Sequence, residues 1–380
     1  MDRRTFLGST AGVMAAAAST LQARVTEKQS EPKSILSLLQ SAYVCGPATA
    51  NPFHPQFRDA DLEATIRQNK ENILRLLQQA GERRSDLACT TEDVLGIYSC
   101  MMDLDHPQRF INHCEPIPGP FTDQLGQMAK KYHLYVSACF FERAGDRCYN
   151  TAVLIDRQGH IQGRYRKVQL PAPETWVCTP GDSFPVFDTD LGKIGIAICY
   201  DMVFPEVTAS YALQGVDLLL HPTSGFGWTE DLGINTVKVR AADHTLWIAV
   251  AKNANVHGPG RSCVVNPLGQ VIADGGYDLD TVLTTYLSPQ QGWLQPEYGF
   301  GTAITGVADM RARLCLERRP EMYKLLTDSQ PPLAVHHQDK KLISGQDKAD
   351  QRTVYEKLKK QWQKEAQDTE AKIGLTRTVL

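Results

Sequence analysis

Apolar and polar residues follow two different periods along this chain of 380 residues. Leu62, Ile66, Ile73 and Leu77 recur at helical spacing in a polar background, which predicts an amphipathic helix over residues 61–80. Short apolar runs predict strands, and some are apolar on both faces. The predicted strands are 34–44, 86–89, 134–141, 151–155, 160–165, 194–199, 216–221, 246–252, 262–266 and 270–273, and further helices are 121–132, 205–214 and 236–245. Strands that alternate with helices indicate an α/β protein with buried sheets.

The N-terminal segment has the features of an export signal. Arg3 and Arg4 precede an apolar run over residues 11–18, and a small residue, Ala23, follows a short polar stretch. A charged start, an apolar middle and a small residue in that order are typical of a cleavable signal, and adjacent arginines are typical of the twin-arginine type. We therefore predict an export signal over residues 1–23 and a periplasmic mature protein.

The C-terminal segment differs in composition from the body of the chain. Residues 24–328 contain the predicted α/β domain, whereas residues 329–380 are rich in Lys, Gln, Asp and Glu. This polar extension has a few apolar positions, among them Val354, Leu358 and Trp362. Such positions are compatible with packing on the body or on a second subunit, and a solvated extension is the alternative.

Composition excludes several classes of partner and cofactor. The net charge of −3 and the pI of about 6.4 argue against nucleic acid as a partner. Outside the signal, no apolar run reaches the ~18 residues that span a bilayer, so stable membrane insertion is not expected. Scattered histidines and the absence of CxxC or GxGxxG motifs indicate neither a metal site nor a nucleotide cofactor. The ten cysteines have no regular spacing and suggest buried thiols, with a disulfide framework as the alternative.

Three residues that follow predicted strands could carry chemistry. Cys199 ends an apolar strand just before a helix, a position that favours the thiolate, although a cysteine there is often an inert core residue. Lys167 follows a hairpin strand within a cationic cluster that could equally be a solvated edge. Glu92 follows the short strand 86–89, where an acid could also cap a helix. Each signal is ambiguous alone.

Taken together, these three segments resemble the nitrilase, or carbon–nitrogen hydrolase, superfamily in order and local context, in its amidase-like branch. The resemblance rests on an acid after a buried strand, on Tyr165-Arg166-Lys167 followed by Leu170, and on Cys199-Tyr-Asp-Met-Val-Phe-Pro-Glu206. It implies a four-layer α-β-β-α sandwich. It also implies a homodimer or larger homo-oligomer, with the helix after Pro205 and the end of the chain as contact elements.

The resemblance assigns a role to each residue. Cys199 would be the nucleophile and Glu92 the general base, while Lys167 and the backbone N–H of Tyr200 would stabilise the oxyanion. A second acid, Glu174, would orient the lysine or the substrate, or would be an ordinary loop residue. By their position in loops after strands, Trp176 and Trp228 could line the pocket, with ordinary packing as the alternative. Thr91 replaces the family's usual proline before the glutamate, so Glu82 and Asp93 remain alternative bases.

The expected reaction is hydrolysis of a non-peptide C–N bond in a small amide or N-carbamoyl compound, through a thioester on Cys199, which releases an acid and ammonia or an amine. Nitrile hydrolysis is a close alternative, although Tyr200 and Asp201 after the cysteine resemble amidase-like members more than nitrile-specific ones. Two other classes remain open. One is a non-catalytic binding protein with the same fold, and the other is a papain-like protease with His221 or His257 as its base.

Overall fold

A computed structural model of the protein describes residues 34–43, 46–225, 230–254, 260–290, 309–329, 331–333 and 348–377. The strands are β1 (Ser34–Gln40), β2 (Leu87–Thr90), β3 (Glu115–Pro116), β4 (Tyr135–Ala144), β5 (Arg147–Ile155), β6 (Ile161–Arg166), β7 (Phe187–Thr189), β8 (Gly192–Ile196), β9 (Leu218–Thr223), β10 (Trp247–Lys252), β11 (Cys263–Val265), β12 (Val271–Asp274) and β13 (Thr281–Leu287). The helices are α1 (Asp59–Glu82), α2 (Tyr98–Met101), α3 (Pro107–His113), α4 (Pro120–Tyr132), α5 (Glu174–Val177), α6 (Pro205–Leu213), α7 (Glu230–His244), α8 (Met310–Glu317) and α9 (Lys348–Arg377).

The strands form two mixed sheets that pack face to face. The first has the order β13-β1-β2-β4-β5-β6, with β3 paired to β4, and the second has the order β12-β11-β10-β9-β8-β7. Strands β1, β2 and β4 are parallel to one another, as are β8, β9 and β10. Because β5 pairs antiparallel with both β4 and β6, β6 runs in the same direction as β4.

Three apolar layers separate the secondary-structure layers. Helices α1 and α4 cover the outer face of the first sheet, for example where Leu76 and Phe121 pack near Val136. Side chains from both sheets, such as Leu38 and Ile196, fill the space between them. Helices α6 and α7 cover the second sheet on its far side. This arrangement confirms the predicted four-layer α-β-β-α sandwich.

Hydrophobic periodicity located most elements within a few residues. The helix predicted at residues 61–80 spans Asp59–Glu82, with Asp59 and Asp61 in the first turn, where acids interact favourably with the helix dipole. The strand predicted at 194–199 was too long, because pairing ends at Ile196 while Ala197 and Ile198 stay buried outside the ladder. Strand β13 was not predicted.

The C-terminal helix α9 packs on the body of the same chain. Its Tyr355 side chain is fully buried, and the Trp362 ring lies with its centroid 5.0 Å from that of Phe53. The nine cysteines in the described ranges are free thiols, seven of them buried. None of the described helices is long and apolar enough to cross a membrane. The predicted export signal lies outside the described residues.

Candidate active site

The residues predicted to act together meet at one edge of the sandwich. Glu92 follows β2, Lys167 follows β6, and Cys199 lies three residues beyond the end of β8. The carboxyl ends of parallel strands share one edge of a sheet, and this edge is where α/β proteins commonly bind ligands. Segments far apart in the sequence therefore place a carboxylate, an ammonium and a thiol in one site.

The Lys167 ammonium lies between two carboxylates. Its Nζ is 2.9 Å from Glu92 Oε1 and 2.8 Å from Glu174 Oε1, and all three side chains are almost fully buried. The amide of Asn150 links the same two acids, since its Nδ2 donates to Glu92 Oε1 at 2.9 Å and to Glu174 Oε2 at 3.4 Å. The structure thus places the Glu174 carboxylate in direct contact with the Lys167 ammonium.

Burial and charge set the protonation of this group. Burial alone would lower the pKa of Lys167, but the two carboxylates raise it well above its ordinary value. Burial opposes ionisation of Glu92, yet Lys167, Asn150 and the backbone N–H of Ser224 bring its pKa below the ordinary range. Burial raises the pKa of Glu174 to about 7. At neutral pH, Lys167 is therefore charged and Glu92 is ionised and able to accept a proton.

Cys199 begins a 3-10 turn, Cys199–Val203, with a left-handed φ of 46°. Asp201 fixes this turn, because its Oδ2 accepts hydrogen bonds from the Ile198 N–H at 2.8 Å and the Tyr165 hydroxyl at 2.7 Å. Its Oδ1 accepts the Gln169 N–H at 2.9 Å. A non-glycine residue seldom adopts a positive φ, and such strain is often found at functional positions.

The environment of Cys199 does not favour the thiolate, so this expectation was wrong. Burial raises the pKa of the thiol to about 12, with a further contribution from the negative charge of Glu92, while Lys167 acts in the opposite direction. Glu92 already balances the charge of Lys167, and Glu174 is partly ionised at neutral pH, so the local field is unfavourable to another anion. In this environment the thiol would ionise readily only by transfer of its proton to a nearby base.

Glu92 is anchored by contacts that are specific to its position. Its Oε2 accepts the Ser224 N–H at 2.9 Å, and its backbone carbonyl accepts the Tyr43 hydroxyl at 3.2 Å. The alternative bases lie elsewhere: Glu82 is exposed at the end of α1, and buried Asp93 accepts a hydrogen bond from the Tyr98 N–H at 3.0 Å. The register of the strand thus points to Glu92.

The two tryptophans expected in the pocket have different outcomes. Trp176 is buried in a cluster with Phe53 and Tyr355, and the described lining of the cavity beside the thiol does not include it. Trp228 lies outside the described residues.

Two further residues at the site, Asn150 and Ser224, were not predicted from the sequence. Nothing in the sequence around Asn150 signals a role at the site; in the structure, the Asn150 backbone carbonyl accepts the Lys167 N–H at 2.8 Å.

A cavity of about 200 Å³ opens beside Cys199. Its described lining comes from the 3-10 turn, β9 and α7: Cys199, Tyr200, Met202, Val203, His221, Gly225, Gly233, Thr236, Val237 and Arg240. His221 bonds the Ala197 carbonyl through Nδ1 at 2.8 Å, and burial lowers its pKa to about 4, so it is neutral at physiological pH. Among the described residues, no group of three or more His, Cys, Asp or Glu side chains could hold a metal ion.

Comparison with known proteins agrees with this arrangement. Residues 54–292 match the family model described as carbon-nitrogen hydrolase. The chain is 30% identical to omega-amidase NIT2-B of Xenopus laevis over 58% of this chain and 83% of that protein. It is 29% identical to N-carbamoylputrescine amidase of Solanum lycopersicum over 66% of this chain and 87% of that protein.

Two solved structures share the fold. An amidase from Nesterenkonia sp. has a TM-score of 0.57 at 21% identity and covers 77% of this chain and 95% of its own. A carbon–nitrogen hydrolase from Helicobacter pylori has a TM-score of 0.58 at 22% identity and covers 77% of this chain and 98% of its own. With the family match over most of the domain, these findings show that the chain belongs to the carbon–nitrogen hydrolase family as an amidase-type enzyme.

Proposed function

We propose that Cys199, Glu92 and Lys167 catalyse hydrolysis of a small amide or N-carbamoyl compound. Glu92 takes the thiol proton, and the resulting thiolate attacks the carbonyl carbon. Lys167 and the backbone N–H of Tyr200 stabilise the oxyanion. Protonated Glu92 then gives its proton to the leaving nitrogen, so that the C–N bond breaks and a thioester to Cys199 remains. Water, deprotonated by Glu92, hydrolyses the thioester, and the sulfur regains a proton.

The observation that supports this mechanism is the contact of Lys167 with two buried carboxylates beside a thiol of raised pKa. Transfer of the Cys199 proton to Glu92 leaves the total charge of the buried group unchanged. The mechanism therefore creates a nucleophile without adding net charge to a low-dielectric site. A preformed thiolate would add a further negative charge to the same site.

Steady-state ammonia release by the purified protein tests these roles. Cys199→Ala should abolish turnover, and Glu92→Gln should lower kcat by about 10²–10⁴-fold. Glu82→Gln is the matched control, because Glu82 is an exposed acid at the end of α1 and should leave the rate unchanged. Intact-protein mass spectrometry should show an acyl adduct on Cys199 in the wild type. Turnover retained by Cys199→Ala, or equal loss in the two glutamate variants, would contradict the proposal.

We propose that the acyl group of the substrate occupies the cavity beside Cys199, whose described lining contains the thiol but not Glu92, Lys167 or Glu174. Arg240 is the only charged side chain in its described lining, and the buried Arg240 Nε has no hydrogen-bond partner among the residues that the structure describes. A guanidinium in this position would favour neutral or carboxylate-bearing acyl groups over cationic ones. We therefore propose that a substrate panel will rank carboxylate-bearing monoamides above N-carbamoyl amines and nitriles. Arg240→Gln should narrow the difference in hydrolysis rate between the anionic and the cationic compounds.

We also propose that the enzyme assembles as a homodimer or larger homo-oligomer. Residues 318–328 are exposed throughout, and Leu325 and Leu326 are each 64% exposed. A groove lies close by between α6, the end of α7 and α8, with Ala212 and Leu213 in its lining. Contiguous apolar exposure of this kind is typical of an interface, and a second copy of the chain is the occupant we expect.

Light scattering coupled to size-exclusion chromatography tests the assembly. Leu325→Asp combined with Leu326→Asp should reduce the mass to that of a monomer. Leu279→Asp is the control, because Leu279 is a similarly exposed leucine, 60% exposed, in the connection between β12 and β13. A monomeric wild type would refute the proposal, as would an unchanged mass for the double variant.

Export is the remaining proposal about this protein. Residues 1–23 lie outside the described ranges, and support comes from the order of arginines, apolar run and small residue in the sequence. We propose transport by the twin-arginine route to the periplasm. Replacement of both Arg3 and Arg4 by lysine should retain the protein in the cytoplasmic fraction, and periplasmic recovery of that variant would contradict this route.

A further inference from the structure

The C-terminal helix α9 lies outside the family match, which ends at residue 292, yet it contacts the loops that form the catalytic edge. We define the α9 cluster as the buried residues Phe53, Trp176, Tyr355 and Ala366 with the partly buried Met102, Leu104, Val177, Val354 and Trp362. These residues come from α9 and from three separate loops. The helix therefore packs on all three loops at once.

The three loops begin at the same edge of the first sheet. They follow β1, β2 and β6, which run in the same direction and end at the same edge of the first sheet. Glu92 lies in the second of these connections, and Lys167 and Glu174 lie in the third. Helix α9 therefore packs on the loops that contain Glu92, Lys167 and Glu174.

Polar contacts fix the position of α9 on this surface. Asp105, in the loop after β2, accepts the Tyr355 hydroxyl at 2.8 Å, pairs with Arg352 at 2.7 Å and also binds Lys359. Although partial burial acts in the opposite direction, these three donors lower the pKa of Asp105 well below its ordinary range. The Tyr355 hydroxyl also lies 3.2 Å from Asp103 Oδ1.

A single helical turn connects the α9 cluster to the catalytic lysine. Glu174 begins α5 and binds Lys167, and Trp176 in the same turn packs in the α9 cluster. The turn is closed by the hydrogen bond from the Cys178 N–H to the Glu174 carbonyl at 2.8 Å. Because Trp176 and Glu174 are two residues apart in one turn, displacement of the indole would displace the carboxylate.

We propose that α9, through Tyr355 and Trp176, positions the Glu174 carboxylate that holds Lys167 in place. Tyr355 is thus a positioning residue for the reaction, and the proposal rests on the catalytic roles proposed above. Loss of the Tyr355 ring would loosen α5 and move the Lys167 ammonium. Because this ammonium stabilises the oxyanion in the proposed mechanism, its displacement should lower kcat more than it changes KM. Misplacement by about 1 Å can lower a catalytic rate by about 10²-fold.

A double-mutant cycle separates positioning from general stability. Tyr355→Ala should lower kcat by about 10–100-fold with KM within about threefold, when rates are normalised to the Cys199 that a thiol reagent titrates. In a Glu174→Gln background, the same change should lower kcat by less than about threefold, because the residue through which it acts has already been altered. Tyr355→Phe keeps the ring and should restore most of kcat.

Two adjacent lysines provide a test that preserves the core. Lys359 binds Asp105, whereas Lys360 is exposed and carries the same charge. Lys359→Ala should lower kcat about three- to tenfold, with Lys360→Ala within about 1.5-fold of the wild type, and thermal denaturation should show that both variants are folded.

Three results would overturn the positioning role: equal effects of Tyr355→Ala with and without Glu174, a loss that falls entirely on KM, or equal rates for Lys359→Ala and Lys360→Ala. If Cys199→Ala abolishes turnover and Glu92→Gln lowers kcat by about 10²–10⁴-fold while any of these results is obtained, the proposed chemistry stands and this inference fails. Turnover retained by Cys199→Ala would instead refute the chemistry itself.

Discussion

Removal of one hydroxyl should separate catalytic geometry from stability in this enzyme. The Tyr165 hydroxyl donates to Asp201 Oδ2 at 2.7 Å, and both residues are fully buried. Tyr165 is two residues before Lys167, and Asp201 is two residues after Cys199. This hydrogen bond therefore joins the segment that carries the ammonium to the turn that carries the thiol. Tyr165→Phe deletes the bond while it keeps the ring.

The size of the effect follows from the charge of the acceptor. A hydrogen bond to an ionised group contributes about 1.5–3 kcal/mol, so Tyr165→Phe should lower the free energy of unfolding by about 2 kcal/mol. Asp201 keeps the Ile198 and Gln169 N–H donors, and the turn should persist with a displaced thiol. We expect kcat/KM to fall by about 10–100-fold, within the range attributed to misplaced catalytic groups.

Tyr211→Phe is the matched control for this experiment. The Tyr211 hydroxyl is also buried, but it donates to the neutral Ile196 carbonyl at 2.5 Å and does not contact Asp201 through a hydrogen bond. We expect a loss of about 1 kcal/mol in chemical denaturation, with kcat/KM within about threefold of the wild type.

The pH dependence provides a second measurement. Burial already raises the pKa of Asp201, and the Tyr165 hydroxyl lowers it. Loss of that hydroxyl should therefore move the acid limb of the kcat/KM profile of Tyr165→Phe to higher pH. If the two tyrosine variants lose activity equally, or if the acid limb does not move, the proposed link between the two segments is wrong.

Three further measurements test the buried group of Glu92, Lys167, Glu174 and Cys199. Asn150→Leu removes the donor shared by Glu92 and Glu174 and should lower kcat/KM by about 10–100-fold in ammonia-release assays. The pKa of Glu174, about 7 when folded, lies above its unfolded value, so stability should be lost as pH rises through 7. Relative to Glu174→Gln, the unfolding free energy of the wild type should fall by about 3 kcal/mol between pH 4.5 and 8, measured by denaturant titration. Because burial raises the pKa of Cys199 to about 12, its alkylation, followed by peptide mapping, should keep accelerating above pH 9 and not level off.

The sequence locates the ends of two of the three strands that lead to the site, β2 and β6, but not the end of β8. An apolar run followed by a polar turn marks the end of β2 before Glu92. The polar strand β6 before Lys167 was located instead as the second strand of a hairpin around residues 157–159. The last residues of β8 could not be placed in this way, since Ala197 and Ile198 are buried without continuing the ladder. Hydrophobicity reports burial, whereas the end of a strand depends on hydrogen-bond pairing with a neighbour.

Contacts between distant segments account for what the sequence did not predict. β13 pairs with β1 across more than two hundred residues, and its half-exposed positions interrupt the apolar pattern, although its Thr, Val and Tyr content was a usable signal. Asn150 lies within a strand and has no chemical signature of its own. Its role becomes visible when Glu92 and Glu174 are both found at its amide.

The active site depends on the packing of the two sheets against each other. Glu92, Lys167 and Glu174 follow strands of the first sheet, whereas Cys199 and Ser224 follow strands of the second. Contacts such as the Ser224 N–H to Glu92 span the two halves. The inter-sheet core that stabilises the fold also sets the distance from the Cys199 thiol to the Glu92 carboxylate. Because this packing keeps a base near the thiol, the raised pKa of Cys199 is compatible with function. In the mechanism proposed above, a high pKa keeps the thiol protonated until Glu92 accepts its proton.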